Sequence, residues 1–567
     1  MKNQSVQKGF AILSTSGIII KIISLLYIPL LLSIIGETGN GFYQAAAQIF
    51  AFAYVLTNSG TLNAITKMTS EYIAKGENAD GQTDAFRAFR VSRMVLGIIG
   101  GVISLLLIIF AQPIANAVKF PEISLSIILI APSAFITALV SSYRGYYQGQ
   151  NNFKPRAVSQ VLEQVVNLVA SITLALLAVA IFGNKPDGIL LACAGANAGT
   201  TLAALAALVY LIWFNKKSTS NTANNESPAK LTRKTFETTL NIWKVEKNEK
   251  YQTLKTFFKY SIPITLSAGL QYAGSVVDMW NTKSRLLVAG FSPDMATQMY
   301  GYLAKYQQLI YVPLIIIIGL ASTILPNLSG ANAIDDKQKF RSSLSYAYRW
   351  CFIISIPAAV LMAVLSSQVY QSIKLGLGSE LLLIGSVVTI LMSVTQVQSS
   401  VLQGLSKMYL LAIFLLIGII VKIIVNYWLI AIPFFNVNGA IIGSIICYLI
   451  PIFLNEMYIR RQLRKKLGKP LKMLPFLYKP FSSSVAMGIV VFFANFLFNY
   501  MTRSIFGATG IGGYITVVLS LILSLVTGAV TFFAAMLYFK GFKKIDLDMV
   551  PQRLKRFIPL RVQNSLK

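Results

Sequence analysis

Hydrophobicity along this chain comes in long blocks, not in the period-two alternation of strands or the narrow stripes of surface helices. Fourteen blocks approach or exceed the ~20 residues that cross a bilayer as a helix. Their approximate limits are 9–35, 43–66, 94–117, 123–143, 157–182, 188–214, 256–280, 299–326, 350–373, 381–406, 408–430, 437–459, 480–500 and 512–539. The pattern predicts an all-α polytopic membrane protein of fourteen transmembrane helices.

Polar junctions interrupt the blocks in related ways. The first runs from Arg144-Gly145-Tyr146-Tyr147-Gln148-Gly149 through Lys154, Arg156, Gln160 and Glu163 to Asn167. The second holds Ser399-Ser400, Gln403-Gly404, Lys422 and Asn426, so that Ser141-Ser142 and Gln148-Gly149 are echoed. Asn40-Gly41 to Gln48 can likewise be laid on Tyr300-Gly301 to Gln308. A duplicated six-span unit is expected. Each copy has an even number of spans, so both share one orientation, as in a parallel repeat about the membrane normal. The predicted organisation is an N-lobe over 1–214, a cytoplasmic linker over 215–255 and a C-lobe over 256–460. A basic loop over 461–479, two further spans within 480–540 and a basic tail over 541–567 follow. Within the linker, Lys216 to Ala229 is Ser/Thr/Asn-rich and reads as flexible. Phe236, Leu240 and Trp243 would share one face of a membrane-surface helix.

Charge fixes the orientation. Of the 50 Lys and Arg residues, 41 fall in alternate inter-span segments that include both termini, counting Lys259 at the start of span seven with the linker, 6 in the other segments and 3 deeper inside spans. The positive-inside rule then places both termini in the cytoplasm. The net charge of +30 is spread over cytoplasmic loops, where anionic lipid headgroups attract it. With no soluble basic domain, nucleic acid is excluded as a partner. The run 9–35 is too long for a signal-peptide core and no small-x-small site follows, so it reads as a retained first span. With 55% hydrophobic and 12% charged residues, the chain has roughly half the charge of a soluble protein. It contains no histidine, and its three cysteines, Cys193, Cys351 and Cys447, lie apart in apolar runs with no metal-ligand spacing. No P-loop is present.

Polar groups inside apolar spans are expensive and need a reason. Helical spacing aligns Ser14, Gly17, Lys21 and Ser24 in span one, and Gln44, Gln48 and Asn58 in span two. Arg144 and Gln148 continue span four, Gln160, Glu163 and Asn167 lie in span five, and Asp278 and Arg285 in or just after span seven. Lys305 and Gln308 lie in span eight, Gln403 in span ten, and Lys422 and Asn426 in span eleven. The bland account is helix glue. For the lysines it competes with snorkelling, ion pairing and a cavity role. Arg144, Lys154 and Arg156 suit membrane anchoring as well as capture of an anion. Glu163 and Asp278 would be ion-pair partners of the lysines or coupling-ion sites. Two lobes facing a polar, mildly cationic central cavity would accept an anionic hydrophilic group. The last two spans, almost without polar groups other than hydroxyls, would face lipid.

At these residues the chain resembles the polysaccharide-transporter branch of the multidrug/oligosaccharidyl-lipid/polysaccharide exporter superfamily, close to stage V sporulation protein B-like and lipid II flippases. The likeness covers roughly residues 9–460. Its motifs are Gly36 with Asn40-Gly41-Phe42-Tyr43-Gln44, Ser59-Gly60 with Ala64-Ile65-Thr66-Lys67 and Glu71, and Arg144 to Gly149 with Pro155, Ser159-Gln160 and Glu163-Gln164. Asp278 with Arg285-Leu286, Tyr300-Gly301-Tyr302-Leu303, Leu325-Pro326 with Ser329, Gln403-Gly404, and Lys422 with Asn426 complete the set. The chain departs from the family pattern at Leu62, often proline, and near Ile28, often followed closely by an arginine. The resemblance implies a non-enzymatic flippase working by alternating access on an undecaprenyl-pyrophosphate-linked envelope glycan. Cavity lysines would meet the pyrophosphate. No cofactor is implied beyond a coupling ion, Na+ or H+, or the membrane potential, and a monomer is expected. A cation-coupled drug or metabolite antiporter of the same superfamily is the alternative. Such antiporters usually stop at twelve spans.

Overall fold

The computed structural model describes residues 6–75, 79–225, 247–333, 336–405, 407–467, 473–507 and 509–542. Among these residues no strand occurs. The helices are α1 (Val6–Lys75), α2 (Ala79–Ile109), α3 (Ala111–Ala117), α4 (Ser124–Ile130), α5 (Pro132–Gly149), α6 (Lys154–Phe182), α7 (Gly188–Asn225), α8 (Lys247–Val288) and α9 (Pro293–Ala333). They continue with α10 (Lys337–Val364), α11 (Ser366–Ser372), α12 (Ser379–Gly385), α13 (Val387–Gly404), α14 (Met408–Leu429), α15 (Asn438–Leu467), α16 (Tyr478–Phe506) and α17 (Gly510–Tyr538). Helix α7 runs on to Asn225, so the first part of the linker expected to be flexible is helical. Phe236, Leu240, Trp243 and the tail beyond 542 lie outside the described residues, as do the side chains of Ser14, Ser59, Pro326 and Ser329.

Among the described residues, eleven helices are long and apolar enough to cross a membrane, or twelve if α12 and α13, bent by 50°, cross as one. The difference from fourteen has two physical sources. The first is α1, whose apolar stretch Thr15–Ile73 is 59 residues long. At ~1.5 Å per residue that is about three bilayer cores, too long for one crossing. The helix breaks at Gly36, with φ 68° and ψ −177°, inside the motif read as the turn between spans one and two. Glycine adopts that positive φ without a Cβ penalty. The second is α8, which covers expected span seven but falls below the others in hydropathy. Its Ser, Thr, Gln and Tyr content suits packing against protein.

The duplication is visible in element boundaries. Helices α11, α12 and α13 repeat α3, α4 and α5 at a constant shift of 255 residues, with identical lengths of 7, 7 and 18. The turn residue with positive φ recurs at the same shift, Lys119 and Lys374. Gln148-Gly149 and Gln403-Gly404 obey this register. The pairing of Ser141-Ser142 with Ser399-Ser400 does not, and is corrected by three residues.

The chain forms two compact units, Met1–Gly301 with Ile423–Val437, and Tyr302–Lys422 with Asn438–Lys567. In the first, small residues let backbones approach, which drives packing in lipid more than hydrophobicity does. Gly195 and Gly199 of α7 meet Leu174 and Ser171 of α6, and Ser171 Oγ donates to Ala196 O at 2.7 Å. The second arm of α1 lies along α8. A Cβ on Gly60 would come within 2.5 Å of Ser261 O and 2.6 Å of Thr265 N. Beyond it, Lys67 Nζ sits 4.0 Å from the Tyr260 ring, whose hydroxyl donates to the Glu71 carboxylate.

In the second unit, Met487 and Val491 of α16 pack on Leu365. Helices α16 and α17 are joined by Ser520 to Asn499 (3.2 Å) and Ser524 to Asn495 (3.3 Å). Those two asparagines correct the reading of these spans as polar only in hydroxyls. The exposed row Phe492, Phe493, Phe496 fits a lipid-facing surface.

Candidate functional site

The first polar cluster is built by the Arg144–Gly149 motif in the first unit. Its two glycines are contact points. A Cβ on Gly145 would meet Leu62 O at 2.9 Å, and one on Gly149 would meet Thr66 O at 2.7 Å. Thr66 Oγ1 donates to Gly145 O at 3.2 Å. With α5 pressed onto α1, Arg144 points to α6. It is 1% exposed, donates from Nε to Ser159 Oγ at 2.9 Å, and pairs with Glu163 Oε2 at 2.6 Å. Glu163 thus pairs with an arginine, where a lysine was one expectation. Gln148 Oε1 accepts from Arg156. Tyr54 of α1 lies within electrostatic reach of Glu163, Arg144 and Arg156. Gln160 is half-buried on the same helix. Asn167 leaves the cluster, accepting from Ser171 (3.1 Å) and Thr200 (3.2 Å), and acts as helix glue.

The second cluster joins α8 to the end of α14. Asp278, Asn281 and Arg285 share a helix face. Asn426 donates to Asp278 Oδ1 at 2.8 Å, Asn281 donates to Ile423 O at 3.4 Å, and Arg285 donates from Nε to Tyr427 O at 3.0 Å. The Arg285 guanidinium also stacks 3.8 Å from the Tyr427 ring centroid. Asp278 and Asn426 are both buried, and Asp278 has an amide partner in Asn426. Lys283, which sequence reasoning missed, is 3% exposed beside this row. It pairs with Glu122 Oε2 at 3.5 Å and lies 4.3 Å from the Phe120 ring and 5.4 Å from Phe42. The available signal was the polar set Asp278, Asn281, Thr282 and Lys283, most of it beyond the expected limit of span seven at 280, whereas the helix continues to Val288.

On α1, Ser24 Oγ is used by its own backbone, donating to Ile20 O at 2.9 Å. Gln44 donates to Asn40 Oδ1 at 3.4 Å. Gln48 Nε2 and Asn58 Nδ2 are buried donors with no partner among the described residues. Lys21 is half-buried and has no ion pair or hydrogen bond among the described residues.

The second unit holds the remaining candidates. Lys305 is fully buried, donates to Leu375 O at 2.7 Å and lies 4.9 Å from the Tyr302 ring. Lys422 is 3% exposed, and Gln308 and Gln403 are half-buried; Lys422 and Gln308 are both engaged in polar interactions. An unforeseen buried cluster joins Tyr348, whose hydroxyl donates to Glu456 Oε2 at 3.0 Å, to Arg460, which pairs with Glu456 Oε1 at 2.8 Å.

Comparison with known proteins decides the family. The profile described as polysaccharide biosynthesis protein matches residues 6–331, more than half of the chain and every residue of the first cluster. The chain belongs to the polysaccharide biosynthesis protein family. Two curated members of Bacillus subtilis (strain 168) are similar to this family member. Lipid II flippase MurJ is 22% identical over 480 residues, 80% of this chain and 82% of that one. Stage V sporulation protein B is 28% identical over 377 residues, 65% and 67% of the two chains. The fold is similar to that of a solved structure, lipid II flippase MurJ in its inward closed conformation, with a TM-score of 0.60 at 13% identity over 93% of this chain and 98% of that one. This polysaccharide biosynthesis family protein is therefore a multi-pass membrane protein with a transporter fold.

Proposed function

We propose that this protein is a flippase that moves an undecaprenyl-pyrophosphate-linked envelope glycan precursor across the bacterial plasma membrane by alternating access. The observation that carries the proposal is the likeness to a lipid II flippase along 80% of the chain. In this reading both termini are cytoplasmic, as the 41-to-6 distribution of Lys and Arg supports. Residues 1–214 and 256–460 act as two six-span lobes, and 480–540 adds two lipid-facing spans.

The chemistry follows from what each residue has left to offer. Arg144, Lys283 and Lys305 already have carboxylate or carbonyl partners. Lys21 keeps its ammonium for cargo, as a point charge toward pyrophosphate oxygens. Gln48 and Asn58 carry unpartnered donors suited to sugar hydroxyls or phosphate. Because the isoprenoid tail stays in the bilayer, its hydrocarbon never enters water. Energy comes from the cargo gradient, a coupled cation or the membrane potential, which is worth ~2.3 kcal/mol per charge at 100 mV.

Complementation of a strain depleted of its lipid II flippase tests this, with an immunoblot of the membrane fraction. Rescue is expected and would assign the peptidoglycan precursor. Failure despite full membrane expression would remove that precursor and direct the assay to other lipid-linked glycans.

A further inference from the structure

In the first cluster the charges do not balance. Arg144 and Arg156 lie close enough to repel each other, and Glu163 is given over to Arg144. Arg156 has no ion pair among the described residues. One of its amino groups is held by the neutral Gln148 side chain, and its Nε is a buried donor without a partner. A buried donor left unsatisfied keeps its full desolvation penalty. Helix α6 begins at Lys154 with no side-chain cap, so Arg156 sits in a first turn where the helix dipole disfavours cations and favours anions. Tyr54 reaches the same cluster from α1. The unmet requirement is for an anion with several acceptor oxygens, and a guanidinium fork matches phosphate oxygens better than an ammonium does.

We infer that Arg156, held in place by Gln148 and set beside the Arg144–Glu163 pair, is a receptor for a phosphate-type anion. Sequence reading gave Arg156 only membrane anchoring or capture in general terms; the geometry gives it a defined binding task. The inference rests on the flippase reading only for the source of the phosphate, which is then the pyrophosphate of the lipid-linked cargo as it enters. The headgroup of an anionic phospholipid carries the same chemistry.

The test uses the full chain in nanodiscs of neutral lipid. Binding of undecaprenyl pyrophosphate is measured by thermophoresis for wild type, R156Q, R156K and Q160E. The expected result is about tenfold or greater weakening in R156Q, partial retention in R156K, and weakening in Q160E, which adds a carboxylate one turn along α6 to neutralise Arg156. Melting temperature checks that each variant is folded; Q160E decides if R156Q is not. Undiminished binding in Q160E or in folded R156Q overturns the inference. If phosphatidylglycerol competes as well as undecaprenyl pyrophosphate, the anion site stands with lipid as its ligand. If the protein fails every flipping assay while Arg156-dependent binding persists, the flippase reading falls and the anion site remains.

Discussion

Asn40 donates its side-chain amide to the carbonyl oxygen of Gly301, 3.4 Å away and 261 residues later in the chain. The two glycines that the internal repeat superposes, Gly41 and Gly301, meet at this point. A Cβ on Gly301 would lie 3.2 Å from Gly41 N, and one on Gly41 would lie 2.7 Å from Thr297 Cγ2. Replacing Gly41 by valine should force the second arm of α1 off the start of α9. The expected cost is ~1–3 kcal/mol of overpacking, read as a lower melting temperature in detergent. Asn40→Ala, which removes this long hydrogen bond and the one that Asn40 Oδ1 accepts from Gln44 at 3.4 Å, should cost about 1–2 kcal/mol. A wild-type melting curve for Gly41→Val would contradict this packing.

The three lysines inside the expected spans should separate by phenotype. Lys305→Ala leaves Leu375 O unpaired and opens a void around a fully buried site. A loss of about 2–4 kcal/mol is expected, seen as lower yield and melting temperature. Lys21→Ala loses no bond among the described residues, so expression and melting should stay near wild type while transport drops. Equal transport by Lys21→Ala and wild type would remove Lys21 from the cargo path. Lys422→Ala should lower transport too, with some loss of stability because that side chain is buried.

Asp278 and Asn426 should be energetically coupled. Each single alanine substitution strips the other residue of its 2.8 Å hydrogen bond, and the double substitution strips both sides at once. A double-mutant cycle on unfolding should give a coupling of about 1 kcal/mol or more. Asp278→Asn, which preserves shape, should cost less than Asp278→Ala. A coupling indistinguishable from zero would show that the pair carries no stability.

The helical membrane fold was legible because hydrophobic block length and basic-residue alternation are properties of sequence alone. Two spans resisted for local reasons. Gly36 lets one continuous helical run hold two expected spans, and α8 carries too many Ser, Thr, Gln and Tyr residues to match the others in hydropathy. Candidate residues were found by helical spacing, but partners were not. Glu163 lies 19 residues from Arg144, and the meeting depends on Gly145 and Gly149 pressing α5 onto α1. Lys283 was missed because two additional turns of α8, beyond residue 280, carry it from an expected loop into a buried ion pair. The repeat was legible in Gln148-Gly149 and Gln403-Gly404; its register came from helix boundaries.

The most direct test is lipid flipping in proteoliposomes. Purified protein is reconstituted with a lipid-linked pyrophosphoryl sugar, and the sugar's accessibility to an impermeant label is followed over time. The account predicts rapid label access to both leaflets with wild type, and access slowed toward protein-free vesicles with Lys21→Ala. Wild-type vesicles that match protein-free vesicles, for lipid II and for other undecaprenyl-pyrophosphate-linked glycans alike, would contradict it.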